Sequence, residues 1–502
     1  MYKNHNIISG YLCQFCNAVL AILFLPFFFS GLSAEEFGLI GLFTLIQSLF
    51  SIVELGNFQE IIKKTQLLNK NIENGGKLYA YVKNIKIVLF TFGISIVTIN
   101  IMCINFFDLD LLKYNELNQE TFKNSLVLIV LIIALRLFEG AFRSLLYGLN
   151  SQLWYNYSSI ITSILRYSIS LLLINETNSI VNYFIWQFFI SFILVILLNY
   201  KINHLIIKNN KYKYKYKYKY KFKYIYINFL YIFSNSYTNI LYVSISILLI
   251  NIDKIYVANN FILGDFGNYM LATNAASVLF LIVVPITQAL IPEYIKLYNY
   301  MKIQILLIKY INMERVIKTI LISLAVNGCI FSEGILYFWS GNMGLVNSVG
   351  SLFSILILAY FFNALIYLHS QIMIINGFIS VNLKLSTLML ISSTLIYILI
   401  SNFNDINYVA YLTLFINLLH YVIVLFYINK ILFMAKIKYY YFISLSFTLL
   451  LTYIVASFLK LIAPANFNNN RIEWLFFVAI SIFICFISNI LADKIIYKKL
   501  CN

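Results

Sequence analysis

Residues 125–148 read SLVLIVLIIALRLFEGAFRSLLYG. A helix needs about 20 predominantly apolar residues to cross roughly 30 Å of hydrocarbon, and this stretch has that length and composition. It also carries Arg136, Glu139 and Arg143, spaced three, four and seven residues apart, so all three fall on one stripe at 3.6 residues per turn. Arg136 lies eleven residues from Ser125, about 16 Å down a helix rising 1.5 Å per residue, and Arg143 lies about 10 Å further along. Charge at that depth is expensive, which makes such residues functional candidates by default.

Thirteen more apolar runs of spanning length accompany it, at about 7–30, 37–56, 85–106, 152–174, 180–199, 228–250, 268–291, 314–339, 349–376, 382–401, 405–428, 439–462 and 473–492. The 502-residue chain is 61% hydrophobic and only 11% charged, with a mean hydropathy of +0.84. Soluble domains carry about a quarter charged residues, so a soluble fold is excluded. The expectation is an all-α, polytopic membrane protein of about 14 transmembrane helices. Tyr11 to Ser30 lacks a short apolar core followed by a small-residue cleavage site, and reads as a first membrane helix rather than a cleaved signal.

The net charge of +17 sits in short gaps between apolar runs, where it sets topology; no nucleic-acid partner is expected. Counted alternately from a cytoplasmic N-terminus, one set of loops holds nearly all the lysine, including Lys63, Lys64, Lys77, Lys83, Lys86, Lys201, Lys302, Lys309, Arg315, Lys318, Lys384 and Lys494. The opposite set holds little more than Lys113, Lys123 and Arg471, beside acidic residues such as Glu35, Glu36 and Asp265. Both termini are therefore predicted cytoplasmic. The segment Lys211–Tyr224, KYKYKYKYKYKFKY, is low-complexity sequence that reads as a solvated basic linker, with anionic membrane lipids as a candidate partner. The predicted organisation is a six-helix bundle over 1–200, a basic cytoplasmic linker over 201–227, a second six-helix bundle over 228–430, and two further helices with a basic tail over 431–502.

The two bundles look related. Glu36-Phe37-Gly38 followed by Leu42 recurs as Asp265-Phe266-Gly267 followed by Leu271, and Gly148 recurs as Gly377, both at an offset of 229. Copies separated by six helices keep their orientation, the arrangement of alternating-access transporters with a substrate cavity between two bundles. The charged stripe is not repeated: its equivalents are Leu365, Leu368 and Ile372.

Arg166 in the fifth run joins Arg136, Glu139 and Arg143 as a substrate-binding candidate, since a guanidinium fork matches phosphate oxygens and stays charged. Candidates for ion coupling or gating are Glu54 at the end of the second run, Asp253-Lys254 after the seventh, Glu333 late in the ninth and His369 late in the tenth, near Asn363 and Gln371. Cys13 and Cys16 form a lone C-x-x-C inside the first run and read as packing residues. No phosphate loop, zinc-protease pair or nucleophile elbow is present, the loops leave no room for a nucleotide domain, and neither metal nor cofactor is expected.

At this point the residues resemble the Wzx-type polysaccharide flippases of the multidrug/oligosaccharidyl-lipid/polysaccharide exporter superfamily, over nearly the whole chain. The resemblance rests on Ala34-Glu35-Glu36-Phe37-Gly38 with Glu54-Leu55-Gly56, Arg143-Ser144-Leu145-Leu146-Tyr147-Gly148, Asp253-Lys254, Gly264-Asp265-Phe266-Gly267-Asn268-Tyr269, Pro285 and Pro292. It implies a bacterial inner-membrane transporter, not an enzyme, that moves undecaprenyl-pyrophosphate-linked oligosaccharide to the periplasmic leaflet for O-antigen lipopolysaccharide or capsule. It further implies a cationic lumen matching Arg136, Arg143 and Arg166, a driving cation gradient, and a polysaccharide polymerase as partner. The alternatives are a flippase for lipid II or teichoic-acid precursors, a drug antiporter, and a membrane-embedded polymerase or acyltransferase; predicted outer loops under about twenty residues argue against the enzyme.

Overall fold

The computed structural model describes residues 2–70, 75–106, 113–209, 237–399, 405–431, 438–463 and 471–501. Among them all regular structure is helical, with one isolated bridge between Lys113 and Ile262. Hydrocarbon offers no hydrogen bonds, so each segment satisfies its peptide groups internally, and even Pro26, Pro285 and Pro292 sit within helices. Among the described residues thirteen helical spans are long and apolar enough to cross a membrane, or fourteen when one pair bent by 86° counts as a single span.

The helices divide into two compact units, residues 1–251 with 258–267, and residues 252–257 with 268–502. In the first, α1 (Tyr2–Gly31), α2 (Ala34–Lys70), α3 (Gly75–Phe106), α5 (Gln152–Thr177) and α6 (Ile180–Asn209) accompany α4 (Gln119–Gly148). α4 packs against α2, α3, α5 and α6 at once, which holds its charged stripe inside the bundle. Next come α7 (Tyr237–Asn260), α8 (Leu263–Ala276), α9 (Val278–Asn299), α10 (Ile303–Ile330), α11 (Ser332–Ser340), α12 (Met343–Ile375), α13 (Ile379–Leu399) and α14 (Ile406–Ile431). In the second unit α12 is the central helix, packed on α9, α10, α11, α13 and α14. The C-terminal pair, α15 (Lys438–Ile462) and α16 (Arg471–Cys501), packs on itself and against α10.

Element boundaries carry the repeat. α1 ends at Gly31 and α7 at Asn260, while α2 begins at Ala34 and α8 at Leu263; both offsets, 260 − 31 and 263 − 34, equal 229. α2 is 37 residues long and so is the span Leu263–Asn299, although α8 and α9 divide the latter at Ser277. The equivalents of the charged stripe, Leu365, Leu368 and Ile372, are all buried core of α12.

The two glycines that end repeated helices serve different ends. Gly377 takes φ +83° just after α12, in the left-handed region that favours glycine, and the turn is closed by Phe378 N–H donating to the Met373 carbonyl at 2.9 Å. Gly148 instead admits α2: a Cβ there would lie 2.5 Å from that of Thr65.

Several boundaries move from their expected places. α7 extends to Asn260, so Asp253 and Lys254 lie within a helix rather than after one. α10 starts at Ile303, not near 314, which takes Arg315 and Lys318 out of the predicted cytoplasmic loop and into a candidate span. Lys302 and Lys309 interrupt the stretch before residue 314 and set the apparent start of the run there; partners supplied by α15 and α16 accommodate Arg315 and Lys318. The ninth run is bent, leaving Glu333 in the first turn of α11. Lys201 to Asn209 continue α6, and the rest of the predicted linker, with the lysine–tyrosine repeat, lies outside the described residues.

The repeated acidic-Phe-Gly motifs meet. A Cβ on Gly38 would lie 2.2 Å from the Leu263 carbonyl oxygen, and one on Gly267 would lie 2.9 Å from the Gly38 nitrogen, so backbone packs on backbone. Glu35 next to this contact is 4% exposed, and its carboxylate accepts N–H bonds from Asn115 (2.7 Å), Glu116 (2.9 Å) and Leu117 (3.0 Å). The Lys113 carbonyl in turn accepts from Leu263 N–H at 2.8 Å, so one loop ties the starts of α2 and α8.

Gly38→Ala is expected to cost about 1–3 kcal/mol through overpacking, read as a lower thermal midpoint in detergent. Gly10→Ala, whose Cβ would meet only an Asn156 side-chain atom at 3.9 Å, should leave that midpoint unchanged or raised. Glu35→Gln replaces a three-fold acceptor by an amide with one oxygen, and should destabilise by about 1–3 kcal/mol in the same assay.

Candidate functional site

In the first unit α4 and α5 carry the charges, and the structure brings Arg136, Glu139 and Arg166 together. Arg166 is 8% exposed; its Nη2 lies 3.9 Å from Glu139 Oε2 and donates to Ser191 Oγ on α6 at 3.3 Å. Tyr155 donates to the other Glu139 oxygen at 3.5 Å. Arg136 makes no carboxylate hydrogen bond among the described residues: its Nη1 donates to Gln47 on α2 at 2.5 Å and its guanidinium lies 4.9 Å from the centre of the Phe43 ring, with Glu139 nearby. The Nε atoms of Arg136 and Arg166 are both buried without a hydrogen-bond partner among the described residues. Tyr167 and Tyr183 stand beside both arginines.

Among the described residues Arg136 and Arg166 bring two positive charges against the single negative charge of Glu139, so the described part of the cluster carries a net positive charge in an apolar bundle, with N–H groups left to donate. Burying an unpaired charge is costly, and an anion with several oxygens would supply both the charge and the acceptors that the cluster lacks. Arg143 stands beside Cys13, Tyr147 and Tyr155, the last of which donates to Glu139. Polar side chains continue the lining: Tyr147 donates to Asn156 at 3.0 Å, Asn156 to Ser9 at 2.9 Å, and Asn17 to Ser159 at 3.2 Å. Cys13 and Cys16 are free thiols, Cys13 buried.

The coupling candidates do not form one group. Glu54 belongs to α2, but its side chain lies outside the described residues. Asp253 is buried and accepts a 2.8 Å bond from Tyr269, whose hydroxyl also lies 3.1 Å from Thr413; Thr413 in turn pairs with Tyr397 at 2.9 Å. Lys254, next along α7, is bonded to Tyr360. His369 is buried; its Nδ1 pairs with the Tyr310 hydroxyl and its ring stacks 5.7 Å from Tyr421. Glu333 is exposed.

A second buried charge cluster escaped the sequence reading: Glu314, Arg315 and Lys318 on α10 with Asp493 on α16. The signal was present, since Tyr310, Glu314 and Lys318 repeat every fourth residue as the arginine stripe nearly does, but Arg315 and Lys318 had been assigned to a loop.

No protein-family model and no curated protein matches the chain. Among solved structures, the lipid II flippase MurJ in an inward closed conformation is similar over 99% of this chain and 99% of its own, with a TM-score of 0.71 and 15% identity. An inward-facing multidrug resistance MATE family transporter of the MOP superfamily is similar over 81% of this chain and 92% of its own, at TM-score 0.60 and 13% identity. A MOP superfamily transporter from Pyrococcus furiosus covers 84% and 93% respectively, at TM-score 0.52 and 12% identity. This multi-pass membrane protein has the fold seen in those transporters, and at such identities the likeness is one of fold.

Proposed function

We propose that the chain is a flippase that carries undecaprenyl-pyrophosphate-linked oligosaccharide repeat units from the cytoplasmic to the periplasmic leaflet of a bacterial inner membrane by cation-coupled alternating access. Both termini are cytoplasmic in this reading, and a polysaccharide polymerase receives the product. The observation that carries it is Arg136: a guanidinium deep in α4 that, among the described residues, hydrogen-bonds to an amide, lies on an aromatic ring and has its Nε unused. Pyrophosphate is a dense set of acceptor oxygens, and a fixed guanidinium fork pairs with it more specifically than a point charge does. The surrounding Tyr, Asn and Ser side chains offer the hydrogen bonding that sugar hydroxyls use. Arg166 and Glu139 complete the site, with Arg143 one to two turns along the same stripe.

A second reading, lipid II itself as cargo, is favoured by one observation: the match to MurJ runs end to end, C-terminal helix pair included. Expression in cells depleted of their own lipid II flippase separates the two, since growth rescue supports lipid II and its absence supports the oligosaccharide.

Arg136→Ala should abolish surface polysaccharide while the protein remains in the membrane, and Arg136→Lys should keep partial activity. Wild-type polysaccharide in Arg136→Ala would remove the site assignment. Deletion of the gene in its host should strand full-length repeat units on the cytoplasmic leaflet, whereas unpolymerised units on the outer leaflet would point to a polymerase.

A further inference from the structure

The second unit gathers four charged side chains around one point of α10, three of them buried and Arg315 partly exposed. Asp493 of α16 is 2% exposed and fully engaged: Oδ2 accepts from Arg315 Nε at 2.6 Å, and Oδ1 from Lys318 Nζ at 3.1 Å and Ser444 Oγ at 2.5 Å. Lys318, 0% exposed, also donates to Ser444 on α15 at 2.7 Å. Glu314, one turn before Lys318 and likewise 0% exposed, has neither carboxylate oxygen hydrogen-bonded among the described residues. It lies about 16 Å along α10, far from either end.

Arg315, Lys318 and Asp493 together leave one surplus positive charge, which an ionised Glu314 would cancel. Yet an ionised carboxylate with no donor forfeits its hydration, at several kcal/mol or more. Protonation removes that cost and gives up the attraction. The two states are thus set against each other by opposing terms, and uptake of one proton converts one into the other. Ionised, Glu314 competes with Asp493 for Lys318, because residues four apart on a helix face one another; protonated, it leaves Lys318 to Asp493.

We propose that Glu314 is a proton-binding site whose occupancy sets how firmly Asp493 of α16 holds Arg315 and Lys318 of α10. A proton from water converts the carboxylate to the neutral acid, and its release to water restores the charge. Every element packed on α10 contributes to the surroundings: Asp493 from α16, Ser444 from α15, His369 from α12 and Tyr294 from α9, with Tyr421 of α14 and Tyr310 of α10 itself. Glu333 of α11 follows the distal end of α10 and is exposed. A metal cation does not suit the place, because Arg315 and Lys318 repel it and the described residues include no group of three His, Cys, Asp or Glu able to hold one. Coupling of this proton to cargo rests on the transport reading above; proton binding does not.

The test uses full-length protein in phosphatidylethanolamine–phosphatidylglycerol vesicles, compared by infrared difference spectroscopy between acidic and alkaline buffer. Wild type should show a carbonyl stretch of a buried carboxylic acid that fades as pH rises, is lost in Glu314→Gln and shifts in Glu314→Asp. Absence of that band in wild type, its persistence undiminished in Glu314→Gln, or its removal by sodium at fixed pH would overturn the proposal. Should Glu314→Gln fail to reach the membrane, the Glu314→Asp shift decides. On the same vesicles an imposed pH gradient should accelerate wild-type movement of lipid-linked oligosaccharide and lose that effect in Glu314→Gln; equal acceleration in both overturns the coupling. A wild type that moves no oligosaccharide but shows the band refutes the transport reading and leaves the proton site standing.

Discussion

Hydrocarbon solvates neither a bare peptide group nor a bare charge, and the rest of this structure depends on how the chain meets that constraint. For the backbone the solution is uniform: each spanning segment closes its own hydrogen bonds as helix. For side chains it is local and unequal. Among the described residues the first unit gives Arg136 a hydrogen bond to Gln47 and the face of the Phe43 ring, while the second gives Asp493 three donors and Glu314 none.

This asymmetry is laid over a repeat. Helix boundaries recur at 229 residues, yet the positions equivalent to Arg136, Glu139 and Arg143 are Leu365, Leu368 and Ile372, packed into α12. The central helix of one unit is a charged stripe and that of the other is core. In the second unit charge appears instead on α10, where α15 and α16, which have no counterpart in the first six helices, supply Ser444 and Asp493.

Close approach at the starts of α2 and α8 depends on an equally plain fact, that two glycines leave room for backbone against backbone. Glu35 then gathers three N–H groups of the loop before α4, so an acidic residue that a topology count reads as outer-loop charge acts as an internal acceptor. Its role depends on donors some eighty residues away in the chain.

The sequence by itself determined the class of fold, because twenty apolar residues in a row have one stable outcome in a membrane, and because the 229-residue recurrence of Phe-Gly motifs marks helix starts whatever lies between them. It also exposed Arg136, Glu139, Arg143 and Arg166, since a charge inside an otherwise apolar run stands out. Only the tertiary structure decided which of these meet, placed Asp253 and Lys254 inside a helix, and carried Arg315 and Lys318 from the predicted loop into α10. The physical reason is that an apolar-run reading judges each segment alone, whereas a charged helix becomes tolerable in hydrocarbon only through partners on other helices. Asp493, 178 residues beyond Arg315, is such a partner, and no local pattern reveals it.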